Sequence, residues 1–229
     1  MRSAGLVSKF LRDTSAAALL EFTIVFPIAM LVILGTVDAS LLMFRWAELT
    51  KATYAGARYA VVSNPAVISS VGALNDPTPG AGAGASCFNS DGSVNTTANC
   101  TVFNVTCTPN QSTGATCTSG NSISYTFQDA AFNAILAQMQ TFSSQTIDRR
   151  QVQISYQSTG LGYVQRPVGS PMTVTISLRC MTYQFFFLAP LMGWVFPAPP
   201  VACNGIGTPT GVALPTFSTT LSSEDLTTN

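Results

Sequence analysis

The pattern of apolar and polar positions divides the chain into stretches of different character. From Ala16 to Val37 the run AAALLEFTIVFPIAMLVILGTV holds one charge, Glu21. At about 1.5 Å per residue it is long enough to cross a hydrocarbon core of about 30 Å. Twelve Leu, Ile, Val and Phe residues lie between Leu19 and Val37. Each favours insertion by about 0.3–0.6 kcal/mol, and together they outweigh the roughly 2.5–3.5 kcal/mol cost of one carboxylate. Beyond Asp38 the segment LLMFRWAELTKATYAGARYAVV contains no proline and interleaves Arg45, Glu48, Lys51 and Arg58 with apolar positions. That pattern predicts one helix over about 17–62, crossing a membrane at about 17–43 and then emerging into water. Pro27 is a candidate kink, and Asn64-Pro65 marks the end, because a residue before proline is pushed towards extended geometry.

Residues 63–122 read differently. Asn-Pro, Asp-Pro-Thr-Pro, GAGAGA and a Ser/Thr/Asn-rich tract predict loops and short extended pieces with few core positions. GAGAGAS lacks the Gly-Lys-Ser/Thr ending of a phosphate loop, so a connector is expected there. Asn89-Ser90-Asp91-Gly92-Ser93 is oxygen-rich but lacks the closing glutamate of a calcium loop, which favours an Asp-Gly turn.

Over 123–229 order returns. Phe127, Ala131, Ile135, Met139 and Phe142 share a helical face and predict an amphipathic helix at 127–142. Gln151–Gln157 and Met172–Arg179 alternate as strands, and Ala213–Leu221 is a further candidate. The expected fold class is α+β: a long N-terminal membrane-spanning helix, then a small antiparallel sheet with one packed helix and a disulfide-stabilised loop region. The apolar stretch Tyr183–Pro200 is too short for a second span, and Pro190 and Gly193 interrupt it. It is either core or a loop that touches a partner or the bilayer surface, with Phe185, Phe186, Phe187, Trp194 and Phe196 as the contact groups.

Charge and cysteine content sharpen this picture. Charged residues are 9% of the chain and the net charge is zero, against a typical charged share of about 25%. No basic field is present to attract nucleic acid. All six cysteines, Cys87, Cys100, Cys107, Cys117, Cys180 and Cys203, follow the apolar run. Their placement suggests an oxidising compartment beyond the membrane, with disulfides as the expected state, although sequence does not choose the pairings. Arg2, Lys9 and Arg12 precede the span with Asp13 as the only acid. The positive-inside bias therefore keeps residues 1–16 cytoplasmic. A cleaved secretory signal would place its small residues after the apolar run, whereas Ser15-Ala16-Ala17-Ala18 stands before it.

S-A-A-A-L-L-E-F (15–22), the proline at 27 and L-T-K-A-T-Y-A-G-A-R-Y-A (49–60) together resemble the start of a TadE-like minor pseudopilin of bacterial tight-adherence (Flp, type IVc) pilus systems. The resemblance is concentrated in residues 13–62, with looser echoes in T-V-T-I-S-L (173–178) and 216–226. It implies cleavage by a membrane prepilin peptidase between Ala16 and Ala17, with Glu21 as the fifth mature residue. Alanine stands at 16, where the family usually has glycine. The resemblance also implies a single-pass protein of the bacterial inner membrane, with its C-terminal domain periplasmic or extracellular. Its partners would be membrane lipid, other pilin-like subunits and the inner-membrane assembly platform.

A carboxylate inside a span is a functional candidate on physical grounds, which singles out Glu21 for subunit assembly. Ala29, Gly35, Ala39 and Ser40 are small enough for close helix packing. Enzymatic chemistry is not expected. The chain has no histidine, so triads and Cys/His pairs are ruled out, and neither metal nor cofactor is expected. Asp129 and Asp148 are a carboxylate pair that folding could bring together, although nothing in their pattern marks them out from surface charge. The competing reading is a signal-anchored periplasmic or surface binding protein unrelated to pili.

Overall fold

A computed structural model of the chain describes residues 14–70, 84–95, 97–98, 102–164, 171–189, 206 and 211–223. Helix α1 runs unbroken from Thr14 to Val62, 49 residues with Pro27 inside it, about 73 Å at helical rise. Its C-terminal end at Val62 falls where the helix was expected to stop. Strands β1 (Val67–Ser69), β2 (Asn104–Pro109), β3 (Ala115–Ser119) and β4 (Tyr125–Phe127) follow, then α2 (Asp129–Gln140) and a short 3-10 turn at Arg149–Gln151. The remaining strands are β5 (Val152–Ser158), β6 (Met172–Leu178), β7 (Thr182–Tyr183), β8 (Val212–Ala213) and β9 (Phe217–Ser223).

Five strands form an antiparallel sheet in the order β3-β2-β5-β6-β9, with small two-stranded ribbons β1-β4 and β7-β8 beside it. The alternation read from the sequence is carried directly into burial. Val152, Ile154 and Tyr156 of β5, and Met172, Val174, Ile176 and Leu178 of β6, all point into the core. One face of the sheet is covered by the outer half of α1, which packs on β6, β9 and α2. The short extended pieces expected within 63–122 include β2, which pairs with β5 and brings Val105 and Cys107 into the same core. The Asp91-Gly92 turn also forms: Asp91 accepts from the Ser93 N–H at 2.9 Å, and Gly92 takes a φ of +81°.

Two local readings are corrected. The second helix is Asp129–Gln140 rather than 127–142, and its buried stripe is Phe132, Ile135 and Met139. Phe127 instead belongs to β4, paired with Val67 of β1, and meets Phe132 at 5.3 Å between ring centres. Phe142 lies beyond the helix and is half exposed. The last strand is also split: Val212–Ala213 pairs with β7, whereas Phe217–Ser223 pairs with β6. Pro215 between them has no N–H to offer a sheet ladder.

Small residues decide how closely α1 approaches the rest of the core. Ala52, Ala57 and Ala60 are fully buried, and Thr53 accepts a hydrogen bond from Thr219 of β9 at 3.2 Å. A Cβ at Gly56 would stand 2.5 Å from Met139 Cγ and 2.9 Å from its Sδ. Tyr156, fully buried beneath this layer, accepts the Ala66 N–H at 3.0 Å just after α1 ends. Burial pushes its phenol well above the ordinary value. Gly56→Val is expected to destabilise the domain by about 1–3 kcal/mol, because branched bulk at a filled contact forces the helices apart. Urea unfolding of the detergent-solubilised chain, followed by near-UV circular dichroism, measures this; an unchanged midpoint would show that the contact is not tight.

Candidate functional site

The inner half of α1 is bare. From Ala18 to Ile33 every side chain is exposed, and the apolar window has a mean hydropathy of 2.3 with none of it buried inside the protein. Hydroxyls along it are satisfied on the helix itself. Thr23 donates to the Leu19 carbonyl, Thr36 to Ile33 at 2.7 Å and Ser40 to Thr36 at 2.8 Å. No hydroxyl of this set therefore needs water, which suits an apolar surrounding. Glu21 projects from this bare half. Ala29, Ala39 and Ser40 are exposed too, so their small side chains leave open places for another helix to approach. Gly35 differs, since Leu188 of the same chain covers it at 3.6 Å from a built Cβ. The bond between Ala16 and Ala17 falls in the first turn of α1.

Asp38 does not face water, as its place at the end of the apolar run would suggest. Its side chain is fully buried, and both carboxylate oxygens are used. Oδ1 accepts the Phe186 N–H at 3.1 Å, and Oδ2 accepts the N–H groups of Phe187 and Leu188, each at 2.9 Å. Three consecutive backbone donors thus converge on one carboxylate, an arrangement suited to an anion. The Tyr183 hydroxyl adds a bond to the Asp38 carbonyl at 3.3 Å. The segment 183–188 is thereby clamped against α1.

The root of this loop is fixed as well. Cys180 is disulfide-bonded, Met181 is buried, and the Met181 carbonyl accepts the Leu214 N–H at 2.8 Å. Gly211, at φ +134°, lets β8 pass beside Tyr183; a Cβ there would lie 2.5 Å from the Tyr183 carbonyl oxygen. Of the aromatic contact candidates, Phe185 is half-buried against Tyr183, with ring centres 5.1 Å apart, while Phe186 and Phe187 are exposed. Trp194 and Phe196 lie outside the described residues. Between the loop and α1 is a groove of about 680 Å³ lined by Leu41, Arg45, Gln145, Tyr183 and Phe186 among others. Arg45 is held by Glu48 at 3.0 Å, which also accepts from Ser144 at 2.8 Å.

Elsewhere, Cys107 and Cys117 form a disulfide between facing residues of β2 and β3, and Cys87 is also disulfide-bonded. Cys100 and Cys203 lie outside the described residues. The two carboxylates of the candidate acid pair are each taken up by an arginine. Asp129 binds Arg149 and the Gly114 N–H, and Asp148 binds Arg150 at 2.9 Å. The Arg149 guanidinium also lies over the Phe132 ring at 5.5 Å. Among the described residues no cluster of three or more metal-ligating side chains occurs.

Fold and site together define a protein with one long helix, bare and apolar at its start, that continues into the core of an α+β domain. Residues 16–58 match the family model described as TadE-like protein, so this helix is a TadE-like segment covering 43 of the 229 residues. Neither the curated proteins nor the solved structures contain a match to the chain.

Hydrogen bonding to Arg149 first, and to the Gly114 N–H next, holds the Asp129 carboxyl below its ordinary range. The unfolded chain protonates this group near about 3.9. The contact therefore stabilises the fold above that value, and its contribution is lost as the pH falls through the lowered folded-state value. Asp129→Asn should lower stability at neutral pH and reduce the acid-induced loss between about pH 5 and pH 2. Part of that slope will persist through Asp148, lowered likewise by Arg150. Melting temperatures of both proteins across that range test this, and parallel curves would refute it.

Proposed function

We propose that the chain is a minor pilin-like subunit that acts in assembly of a tight-adherence, Flp-type pilus. The observation that carries this reading is the TadE-like match at 16–58. That segment coincides with a helix whose first half is bare and whose second half is built into the domain. In this reading residues 17–43 anchor the subunit in the bacterial inner membrane, with the leader cytoplasmic and the domain on the far side. The prepilin peptidase cuts between Ala16 and Ala17, and the new α-amino group of one subunit pairs with Glu21 of another. Such a pairing removes a carboxylate from lipid at the moment two subunits meet, so it couples membrane energetics to assembly. The exposed Ala29, Ala39 and Ser40 give neighbouring helices their closest approach, and the assembly platform recognises this helical face. The domain serves as the extracytoplasmic body of the subunit and performs no chemistry.

Mass spectrometry of the N-terminus of the membrane-extracted protein should find a mature start at Ala17. A start after residue 37, or an intact leader, would favour the competing signal-anchored binding protein. Glu21→Ala should leave the protein in the membrane fraction but reduce pilus number at least about tenfold, the effect of roughly 1.4 kcal/mol in subunit association. Counting pili by electron microscopy in the variant strain decides the matter, and normal piliation would remove Glu21 from the assembly role.

A further inference from the structure

The Asp38 clamp sits at an unexpected level along α1. Between Glu21 and Arg45 the helix has 23 residues, of which Asp38 is the only charged one. That stretch measures about 35 Å, and Asp38 lies about 10 Å from Arg45 along the axis. The loop 183–188 therefore reaches down beside the apolar part of the helix, below the first basic residue on the domain side. A carboxylate at that level is costly unless it is paired and screened. Here it is fully screened: 0% of the residue is exposed, and three N–H groups fill its oxygens. The loop that does the screening presents Phe186, 81% exposed, and Phe187, 46% exposed. Leu41 is exposed on the helix beside the loop and lines the same groove as Phe186, so the aromatic pair continues the bare surface of α1.

From this continuity we infer that the Phe185–Leu188 loop is a second membrane contact, seating Phe186 and Phe187 at the boundary between lipid headgroups and acyl chains, with Asp38 holding it there. The inference rests on α1 crossing the membrane. Lipid is the occupant that the geometry favours, because the loop is bonded to the very helix that enters the bilayer and cannot move away from it independently. Aromatic side chains at such a boundary place an apolar body in the acyl region while the backbone nearby stays polar. Here the polar backbone is turned inward onto Asp38, which leaves the loop's outer surface apolar.

The test uses full-length protein, one copy per nanodisc of phosphatidylethanolamine and phosphatidylglycerol, with a benzophenone-bearing phenylalanine placed in turn at positions 28, 161 and 186. Ile28 lies within the bare anchor, and Leu161 is exposed on the distant loop after β5. After irradiation, intact mass spectrometry should find a single phospholipid adduct at 28 and at 186 and none at 161. An adduct at 28 without one at 186 would overturn the loop contact while leaving the membrane anchor in place. No adduct at 28 would overturn the anchor and the inference with it. Equal labelling at 161 would show the adducts to be non-specific and would overturn the inference too. In native envelope vesicles, a protein adduct replacing the lipid adduct at 186 would assign the patch to a subunit interface instead. Asp38→Asn keeps the shape of the side chain and removes its charge; it should lower the lipid adduct at 186 several-fold relative to that at 28. An unchanged ratio would remove Asp38 from the holding role.

Discussion

Everything in this fold depends on one helix serving two surroundings without a break. The first half of α1 has to be apolar all round, and the second half has to fit against a sheet and a second helix. The transition is made by residue size rather than by a hinge. Large side chains dominate from Leu19 to Phe44, then Ala52, Thr53, Gly56, Ala57 and Ala60 line the buried side. Small residues let α2 and the sheet come close, and dispersion contacts strengthen steeply at short range. Because there is no linker at the junction, the position of the sheet follows from the rotation of the helix about its own axis.

Much of this was legible in the sequence for a physical reason: burial on one side imposes a period. The alternation in Val152–Ser158 and Met172–Leu178 is the period of a half-buried strand, and the structure buries those alternate residues. The long apolar helix was legible because its run of apolar residues is unbroken by turn-forming pairs from Ala16 to Val37. The second helix was located and Ile135 and Met139 of its buried face were read, but Phe132 was missed in favour of Phe127. Phe127 looked helical until β1 supplied a strand partner for it, and a partner sixty residues away cannot be read from local spacing. The tract before residue 123 concealed β2 and β3 for a related reason. Thr, Asn and Cys alternate there without marked hydrophobic contrast, and only pairing with β5 makes Val105 and Cys107 interior.

Asp38 was the least legible feature of the site. By composition it looked like the last residue of an apolar run, where an acid commonly meets water. Its partners are backbone N–H groups at 186–188, and backbone donors leave no signature in sequence, since nearly every residue carries one. The only hint was an aromatic run at 185–187 without the length for a span. By contrast, Glu21, Ala29, Ala39 and Ser40 are simply exposed along α1, while Gly35 is covered by Leu188 of its own chain.

The burial of Asp38 is better understood as specifying geometry than as adding stability. Two apolar surfaces, one on α1 and one on the 183–188 loop, could slide past each other with little change in energy. A buried carboxylate removes that freedom, because leaving it unpaired costs far more than an apolar mismatch of one residue. Only one register brings three successive N–H groups to its two oxygens. With the loop also tied through Cys180 and through β8, the domain is attached to α1 at two levels, along the small-residue stripe and at Asp38. A domain held in this way has a defined tilt relative to the bare half of α1. On the proposed pilin-like reading, subunits that meet through their bare helices would then bring their domains together in one orientation instead of many, so the entropy of domain orientation is spent before assembly begins.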